Sequence, residues 1–264
     1  MTRLNPSSHV VSTIAAAVLV LGQSQAASIL IDFGRDDGAV AVGSQDGLPT
    51  ANPNSSGKYY NNYTSGFDVT NGSSVQNLLD TGGSATTIDV SVIAGNVDAN
   101  GIRNGGLTNP NSSLLGDFAV ATATHDYFFV NGGGTPAVGT IRISGLNPLM
   151  TYNLSMFAVR TTTSGDIRTT VYSVGANSVQ LQTSGLGSGS AANPFGNDDT
   201  IVSLNGLIPD GSNQIDLNIT GLVSGGNSFA YLGILQISEV PEPSAALLCG
   251  LSGLAALTVR RRRL

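Results

Sequence analysis

The chain has 264 residues, of which 34 are glycine and only 11% are charged, and it contains no tryptophan. Between residues 27 and 238, fifteen aspartates stand against six lysine and arginine residues, a net charge of −9. This balance excludes nucleic acid as a partner, because nucleic acid requires a basic surface. The single cysteine, Cys249, excludes a disulfide framework. Few Lys, Glu and Gln residues and many Thr, Val, Ile, Asn and Gly residues predict an all-β fold.

Residues 1–26 have the pattern of a secretory signal peptide. Arg3 precedes an apolar segment at residues 10–21, and the small residues Ser24 and Ala26 precede a cleavage point after Ala26. An uncleaved anchor is the alternative, but this apolar segment is short for a membrane span. We therefore expect the protein to be exported.

The body, residues 27–238, is predicted to form one β-sandwich domain. Short segments with alternating or continuous apolar residues recur between turn signals such as Asn-Gly pairs, as in sandwiches and jelly rolls. The predicted strands are residues 28–33, 86–93, 116–123, 125–130, 139–146, 151–160, 169–175, 178–183, 200–207, 213–220 and 229–238. Three stretches rich in Gly, Ser and Asn, at residues 34–66, 94–113 and 184–199, are expected to be long loops.

No sequence motif in the body indicates catalysis, and we expect no enzyme activity. The only histidine of the body, His125, precedes Asp126, and neighbouring residues of an extended chain point to opposite faces. We interpret His125 as a structural residue at a strand end. Asp32 lies within an apolar strand, so we expect its carboxylate to be hydrogen-bonded. A secreted hydrolase whose site is not visible in the sequence is a further alternative.

Two pairs of loop aspartates are candidate ligands of a structural calcium ion. Asp36 and Asp37 follow the first predicted strand, and Asp198 and Asp199 lie in the third long loop. Calcium prefers several oxygen ligands from carboxylates, amides and carbonyl groups. Neither pair has the spacing of an EF-hand, and hydrated surface aspartates are the alternative interpretation. We expect no other cofactor.

A cluster of tyrosines, Tyr59, Tyr60 and Tyr63, surrounds two asparagines in the first long loop. Aromatic rings beside hydrogen-bonding amides are common in recognition loops, so this is a candidate ligand loop. The alternative is that the three rings fill one end of the sandwich and expose only their hydroxyl groups. Further along, Arg160 and Arg168 flank Asp166 in a polar hairpin tip, where a surface ion pair is expected.

Residues 239–264 have a different character from the body. Residues 244–259 carry no charge, and as a helix they would reach about 24 Å, slightly less than a typical hydrocarbon core of about 30 Å. The arginines behind this segment would stay in the cytoplasm according to the positive-inside rule. Pro241 and Pro243, in front of it, resist helix formation and favour an extended segment outside the membrane.

This tripartite tail resembles the PEP-CTERM protein-sorting signal of Gram-negative bacteria, over about 25 residues of the chain. The resemblance implies an exosortase, a membrane-embedded transpeptidase-like enzyme, as a partner that processes the tail. It implies that residues 244–259 form a transmembrane helix before processing and that the protein then reaches the cell surface or the exterior. The implied recognition residues are Val240, Pro241, Glu242 and Pro243, and the implied stop signal is Arg260, Arg261, Arg262 and Arg263.

The body is similar to a β-sandwich type found beside PEP-CTERM tails, especially in Verrucomicrobia-like bacteria. The similarity is carried by residues 29–34, 144–160, 168–174 and 229–243, and it implies a jelly-roll or galactose-binding-like fold, in which a structural calcium ion is common. It implies no particular activity. We expect a structural or adhesive protein of the cell envelope or extracellular matrix, and a carbohydrate-binding module for exopolysaccharide is the alternative.

Replacing Pro241, Glu242 and Pro243 by alanine, or deleting residues 260–263, is expected to change the processing and location of the protein in its native host. Cleavage after Ala26 and processing near the Pro-Glu-Pro motif each remove a defined mass. The intact mass of the mature protein therefore reports both events. Unchanged mass and location in both variants would contradict the sorting prediction.

Overall fold

The computed structural model describes residues 27–38, 47–131, 138–162, 166–222 and 228–240. The predicted signal peptide and most of the predicted sorting tail, from Pro241 onward, lie outside the described residues, so both stay predictions. Within the described ranges, no helix is long and apolar enough to cross a membrane.

The described chain consists mostly of β-strands, which confirms the all-β prediction. The strands are β1 (Ser28–Arg35), β2 (Asn61–Ser65), β3 (Asp68–Val69), β4 (Ser74–Val75), β5 (Asp89–Ala94), β6 (Val97–Asn100), β7 (Tyr127–Asn131), β8 (Val138–Ser144), β9 (Thr151–Phe157), β10 (Arg168–Val174), β11 (Asn177–Ser184), β12 (Val202–Leu207), β13 (Ile215–Gly221), β14 (Phe229–Leu232) and β15 (Ile234–Val240). The described helical segments are short: α1 (Ser112–Leu115), α2 (Ala121–Thr124) and the 3-10 turns Ile102–Asn104 and Gly116–Phe118.

The predicted strand at residues 116–123 is wrong, because this segment forms a 3-10 turn followed by α2. Asn111 caps the preceding helix by accepting a hydrogen bond from Ser113 N at 2.9 Å, so the segment begins as a series of tight turns. Two of the predicted long loops also contain strands, β2 and β6, whose sequences are largely polar. The predicted strand at residues 229–238 is two strands, β14 and β15, which belong to different sheets. The remaining predicted strands overlap observed ones.

The described strands form three sheets. The five-stranded sheet has the order β12-β9-β15-β1-β2, the six-stranded sheet β11-β10-β13-β8-β5-β4, and the four-stranded sheet β14-β7-β6-β3. β1 and β2 are parallel, with Ile31 opposite Asn61, whereas β1 and β15 are antiparallel, with Ile31 opposite Leu235. β1 therefore lies inside the five-stranded sheet, paired on both sides.

One hydrophobic core joins the three sheets. In β9, alternate residues Tyr152, Leu154 and Met156 are fully buried, as the period of two along a strand requires. They share the core with residues of the other two sheets, including Phe128 and Ile141. The alternation in the sequence thus corresponds to the inward face of each strand, and the fold is a sandwich of sheets around a common core.

A second hydrophobic cluster covers the outer face of the five-stranded sheet. Leu30 of β1 and Phe157 of β9 pack there against Leu115 and Phe118 of the short helical segments. Ile29, Ile31 and Phe33 of β1 point to the main core, so both faces of β1 are buried. Asp32 shares its face with Leu30, and it is therefore enclosed beneath the helical segments.

Truncation of Leu154, which is fully buried, is expected to destabilise the sandwich strongly. The change Leu154→Ala should lower the free energy of unfolding by about 2–5 kcal/mol, because it removes buried methyl groups and leaves a cavity. Leu149, which is 80% exposed, offers a matched control. Leu149→Ala should change the unfolding free energy by less than about 0.5 kcal/mol in urea denaturation. Equal effects of the two changes would contradict the position of the core.

Candidate functional site

A polar cleft of about 250 Å³ opens between the 3-10 turn Ile102–Asn104 and the chain that leaves β9. Its lining consists almost entirely of polar and charged side chains, which offer both hydrogen-bond donors and acceptors. The side chains that face it belong to Arg103, Asn104, Arg160, Thr161, Thr162 and Asp166. Arg103 and Asp166 are exposed, and Thr162 is buried.

Two glycines allow the backbone segments that form the walls of the cleft to approach each other closely. Gly105 adopts a positive φ of 95° at the end of the turn, and its carbonyl accepts a hydrogen bond from Thr161 N at 2.6 Å. A Cβ on Gly105 would overlap Thr161 O, and a Cβ on Gly106 would overlap His125 O. The turn therefore passes between two backbone segments where only glycine fits, and its position relative to Thr161 is fixed by backbone contacts.

Beneath the cleft, two buried tyrosines contact the backbone of the turn and the side chain of Arg168. The Tyr127 hydroxyl donates to Asn104 O at 2.7 Å, and Arg160 Nη2 donates to Asn104 Oδ1 at 3.3 Å. The rings of Tyr127 and Tyr231 meet edge to face, with their centroids 5.2 Å apart. Arg168 donates to the Tyr231 hydroxyl. The Arg168 guanidinium is therefore held by the packed pair of tyrosine rings.

Positive charge is concentrated at this cleft. Two of the six basic residues between 27 and 238, Arg103 and Arg160, line it, and Arg168 pairs with the lining residue Asp166. The nearby carboxylate is Asp166, whose Oδ2 is 3.9 Å from Arg168 Nη2, so the ion pair expected in this hairpin forms with Arg168, whereas Arg160 contacts Asn104. Elsewhere in the body, ion pairs join Arg35 to Asp37, Lys58 to Asp117 and Arg142 to Asp216.

Thr162 adds an unusual polar group to the lining. Its backbone N–H donates to Phe195 O at 3.2 Å, but its Oγ1 is buried and has no hydrogen-bond partner among the residues that the structure describes. Leaving a buried hydroxyl unsatisfied costs about 1–3 kcal/mol.

A second polar cluster, separate in chemistry from the cleft, consists of two buried carboxyl groups. Asp32 Oδ2 accepts a hydrogen bond from Thr50 N at 3.2 Å, and Asp126 Oδ2 accepts one from Arg35 N at 2.9 Å. Within the described part of the chain, the Oδ1 atom of each has no hydrogen-bond partner. Asp126 lies over Gly34, where any Cβ would overlap its carboxyl group. Because Asp32 and Gly34 share one face of β1, the two carboxyl groups are neighbours.

Burial raises the pKa of Asp32 to about 7. Burial, and then the charge of Asp32, also raise the pKa of Asp126 well above its usual range. The Arg35 guanidinium does not offset these effects, because it donates to Asp37 Oδ2 at 2.7 Å and to Ala99 O at 2.9 Å. The expectation of a hydrogen-bonded Asp32 is thus met on one oxygen only, and the pair favours its protonated forms.

His125 lies next to this pair. It ends α2 with helical dihedral angles, φ −86° and ψ −12°, so the prediction of an extended His125-Asp126 step is wrong. Its Nε2 is 3.6 Å from Asp126 Oδ2 and accepts a hydrogen bond from Leu48 N at 3.2 Å. Accepting at Nε2 requires the neutral ring, so His125 serves as a buried structural acceptor here.

The candidate ligand loop of three tyrosines is not available to a ligand as predicted. Tyr60 is fully buried and Tyr63 is 4% exposed. The Tyr60 hydroxyl donates to Asp117 O at 2.7 Å, and the Tyr63 hydroxyl lies 2.8 Å from Ser73 Oγ. Tyr59 is half-buried. The rings of Tyr60 and Tyr63 fill the interior, as the alternative interpretation expected, but their hydroxyl groups bond within the protein instead of being exposed.

The first pair of candidate calcium ligands has partners within the protein. Asp37 Oδ2 forms an ion pair with Arg35 Nη2 at 2.7 Å, and its Oδ1 accepts from Gly47 N at 3.2 Å. Asp36 is exposed and accepts from Thr64 Oγ1 at 3.3 Å. The two neighbouring carboxylates therefore make separate contacts.

The second pair stabilises its own loop. Asp198 accepts hydrogen bonds from the backbone N and the hydroxyl of Ser190, at 2.6 and 2.7 Å, and Asp199 accepts one from Thr200 Oγ1 at 2.8 Å. Across the part of the chain that the structure describes, no three acidic, histidine or cysteine side chains converge on a metal position. Calcium binding stays a prediction from the sequence.

No protein-family model matches the chain, and no curated protein is similar to it. Three solved structures resemble it weakly. They are bacteriophage CBA120 tailspike protein 4 (16% identity, 57% of this chain, 19% of that chain, TM-score 0.30), TmCBM61 in complex with β-1,4-galactotriose (10%, 57%, 88%, 0.29) and the MgGH51 α-L-arabinofuranosidase (11%, 81%, 30%, 0.30). The chain thus spans about a fifth of the tailspike domain. Likenesses of this size assign no function to it.

The raised pKa of Asp32 predicts that stability falls as pH rises. The folded state holds this proton up to about pH 7, whereas the unfolded state releases it near pH 4, so the folded state binds more protons in between. The free energy of unfolding should drop by about 3 kcal/mol from pH 5 to pH 8 on this account. In Asp32→Asn the drop should be smaller, because only the raised pKa of Asp126 then contributes, and in the exposed control Asp36→Asn it should be retained. Parallel urea-denaturation results for wild type and Asp32→Asn would contradict the assignment.

Proposed function

We propose that this chain is an exported cell-envelope protein whose β-sandwich, of the jelly-roll or galactose-binding-like type, binds extracellular polysaccharide through the cleft at Arg103 and Arg160. The observation that carries the proposal is the cleft itself. It is a concave surface whose walls are fixed by backbone contacts and whose lining is polar. The protein acts by adhesion to the polymer rather than by chemical conversion.

The lining suits a saccharide because sugar hydroxyl groups both donate and accept hydrogen bonds. Arg103 and Arg160 supply donors, Asp166 supplies acceptors, and Asn104 and Thr161 supply both. The volume of about 250 Å³ lies just below the roughly 300–1,000 Å³ typical of sites for drug-sized ligands. A cleft of this size accommodates one small unit of a longer polymer.

Export and sorting complete the proposal. The signal-peptide pattern and the PEP-CTERM-like tail support delivery to the envelope, with an exosortase-type enzyme as the processing partner and the membrane as the site of that step. In the structure, Glu239 N donates to Ala27 O at 3.0 Å. The start of β1 and the end of β15 therefore lie side by side, and removal of the segments beyond them would leave the pairing of β1 with β15 intact.

A hydrolytic site on the two buried carboxyl groups is not favoured by the geometry. Raised pKa values are common in catalytic acids, but they are also produced by structural burial. Asp32 is 0% and Asp126 is 1% exposed, so a substrate has no access to either group in this arrangement. We therefore assign a structural role to these two carboxyl groups and ligand binding to the cleft.

Removing one amide from the cleft is expected to weaken polysaccharide binding. Asn104→Ala deletes a side chain that faces the cleft and orients Arg160, so the dissociation constant should rise about five- to tenfold in affinity electrophoresis or calorimetry. The exposed control Asn71→Ala should bind as wild type does. Tyr59→Ala tests the alternative loop and should also leave binding unchanged. Loss of binding in Tyr59→Ala with retention in Asn104→Ala would contradict the proposed site.

A further inference from the structure

We infer that one end of the sandwich rests on the lipid surface of the membrane, through the exposed apolar side chains of Leu149, Ile208 and Val240. This inference rests on the proposed function, since it requires residues 244–259 to insert into the membrane before the tail is processed. The supporting observations are the position of these side chains at the end of the sandwich where β15 ends, the fixed geometry of their loops and the short distance to the predicted membrane segment.

The three apolar side chains lie together at one end of the five-stranded sheet. β9 has β12 and β15 as its neighbours, and both end beside its start, with Thr151 opposite Val240. Leu149 lies two residues before β9, and Ile208 directly follows β12. Leu149 is 80% and Ile208 72% exposed, more than any other large apolar side chain among the described residues. Exposed apolar side chains that share one surface mark contacts with proteins or membranes.

The loops that carry the two most exposed side chains are held in place by hydrogen bonds. Leu146 N donates to Asn213 O at 3.2 Å, which joins the loop before β9 to the loop that follows β12. Asn147 N donates to the Tyr152 hydroxyl at 2.8 Å. The backbone therefore presents both side chains to solvent in a fixed arrangement, so little conformational entropy is lost when they meet another surface.

The predicted membrane segment starts close to this end of the sandwich. Val240 ends β15, and three residues separate it from the uncharged residues 244–259. An extended chain gains at most about 3.6 Å per residue, so residue 244 can be no farther than roughly 14 Å from Val240. The headgroup layer on each side of a bilayer is only about 5–8 Å thick. A tail that spans the membrane therefore keeps this end at the lipid surface, where tethering allows even a weak apolar contact to form.

The charges beside these apolar side chains determine which lipid they meet. Asp210 lies two residues after Ile208, and Glu239 directly precedes Val240. The two carboxylates repel anionic headgroups. The contact is therefore made with zwitterionic lipid and is driven by the burial of apolar side chains instead of by electrostatic attraction.

The experiment uses the full chain in phosphatidylcholine vesicles and exploits the absence of tryptophan from the sequence. In Leu149→Trp, lipid brominated near the headgroup end of its acyl chains should quench the tryptophan fluorescence at least about twofold, because the ring lies among the lipids. Leu186→Trp is the matched control. Leu186 is also exposed, but it follows β11 at the opposite end of the six-stranded sheet, so the fluorescence of this variant should hardly change.

A second substitution tests whether the apolar character of this end makes the contact. Ile208→Asp, added to Leu149→Trp, should reduce the quenching by about half or more, because a charged group resists burial among lipids. Ile167→Asp, at an exposed position directly before β10 and at the opposite end, should leave the quenching unchanged. Thermal unfolding of each variant reports whether the fold is retained.

The outcomes separate this inference from the proposed function. Failure of the full chain to associate with the vesicles would overturn the membrane-inserted tail, and the lipid contact with it. Firm association in which Leu149→Trp is not quenched, or is quenched no more than Leu186→Trp, would overturn the lipid contact alone. A blue-shifted emission of Leu149→Trp that brominated lipid does not quench would overturn it too, because protein, either the tail or a second copy of the chain, would then cover this end.

Discussion

The burial of strand β1 on both faces is the constraint on which the rest of the structure depends. One face contributes Ile31 and Phe33 to the main core, and the other must be covered by the segment from residue 102 to residue 126. That segment reaches its position only by passing between two backbones, which requires Gly105 and Gly106. The cleft is formed at this crossing, so the device that completes the fold also builds the candidate binding site.

The same constraint separates structural polar groups from functional ones. Asp32 occupies the covered face of β1, so burial raises its pKa to about 7, and Asp126 lies beside it. The Oδ1 atoms of both groups are enclosed and have no hydrogen-bond partner among the described residues. Burying these carboxyl groups therefore lowers the stability of the framework and does not involve the cleft. The cleft lies at the start of the covering segment, and its side chains Arg103 and Asp166 are exposed to solvent. The two carboxyl groups with raised pKa values are therefore buried, whereas the charged groups that a ligand can reach lie in the cleft.

Much of the fold could be predicted from the sequence, because apolar and polar residues alternate along strands such as β8 and β9, which bury one face in the core. The strands β2 and β6 could not be predicted in this way, because they bury polar residues. Hydrogen bonds to distant backbone groups compensate for this burial, as when Asn61 Nδ2 donates to Leu30 O at 3.1 Å. The cleft escaped prediction because residues 103 and 160 are far apart in the chain. Scarcity of basic residues was the one available signal, since two of the six in the body, Arg103 and Arg160, line the cleft.

The central claim is that ligand binding occurs at the cleft, and nuclear magnetic resonance titration of the ¹⁵N-labelled body with oligogalacturonate, its carboxyl-reduced neutral form and a monosulfated galactan oligomer tests it most directly. The account predicts saturable shifts of the backbone amides of Asn104, Gly105, Thr161 and Thr162, whose N–H groups line or close the cleft. Amides of the buried tyrosine segment at residues 59–63 should not move. Saturable shifts confined to that segment, or none anywhere, would contradict the account.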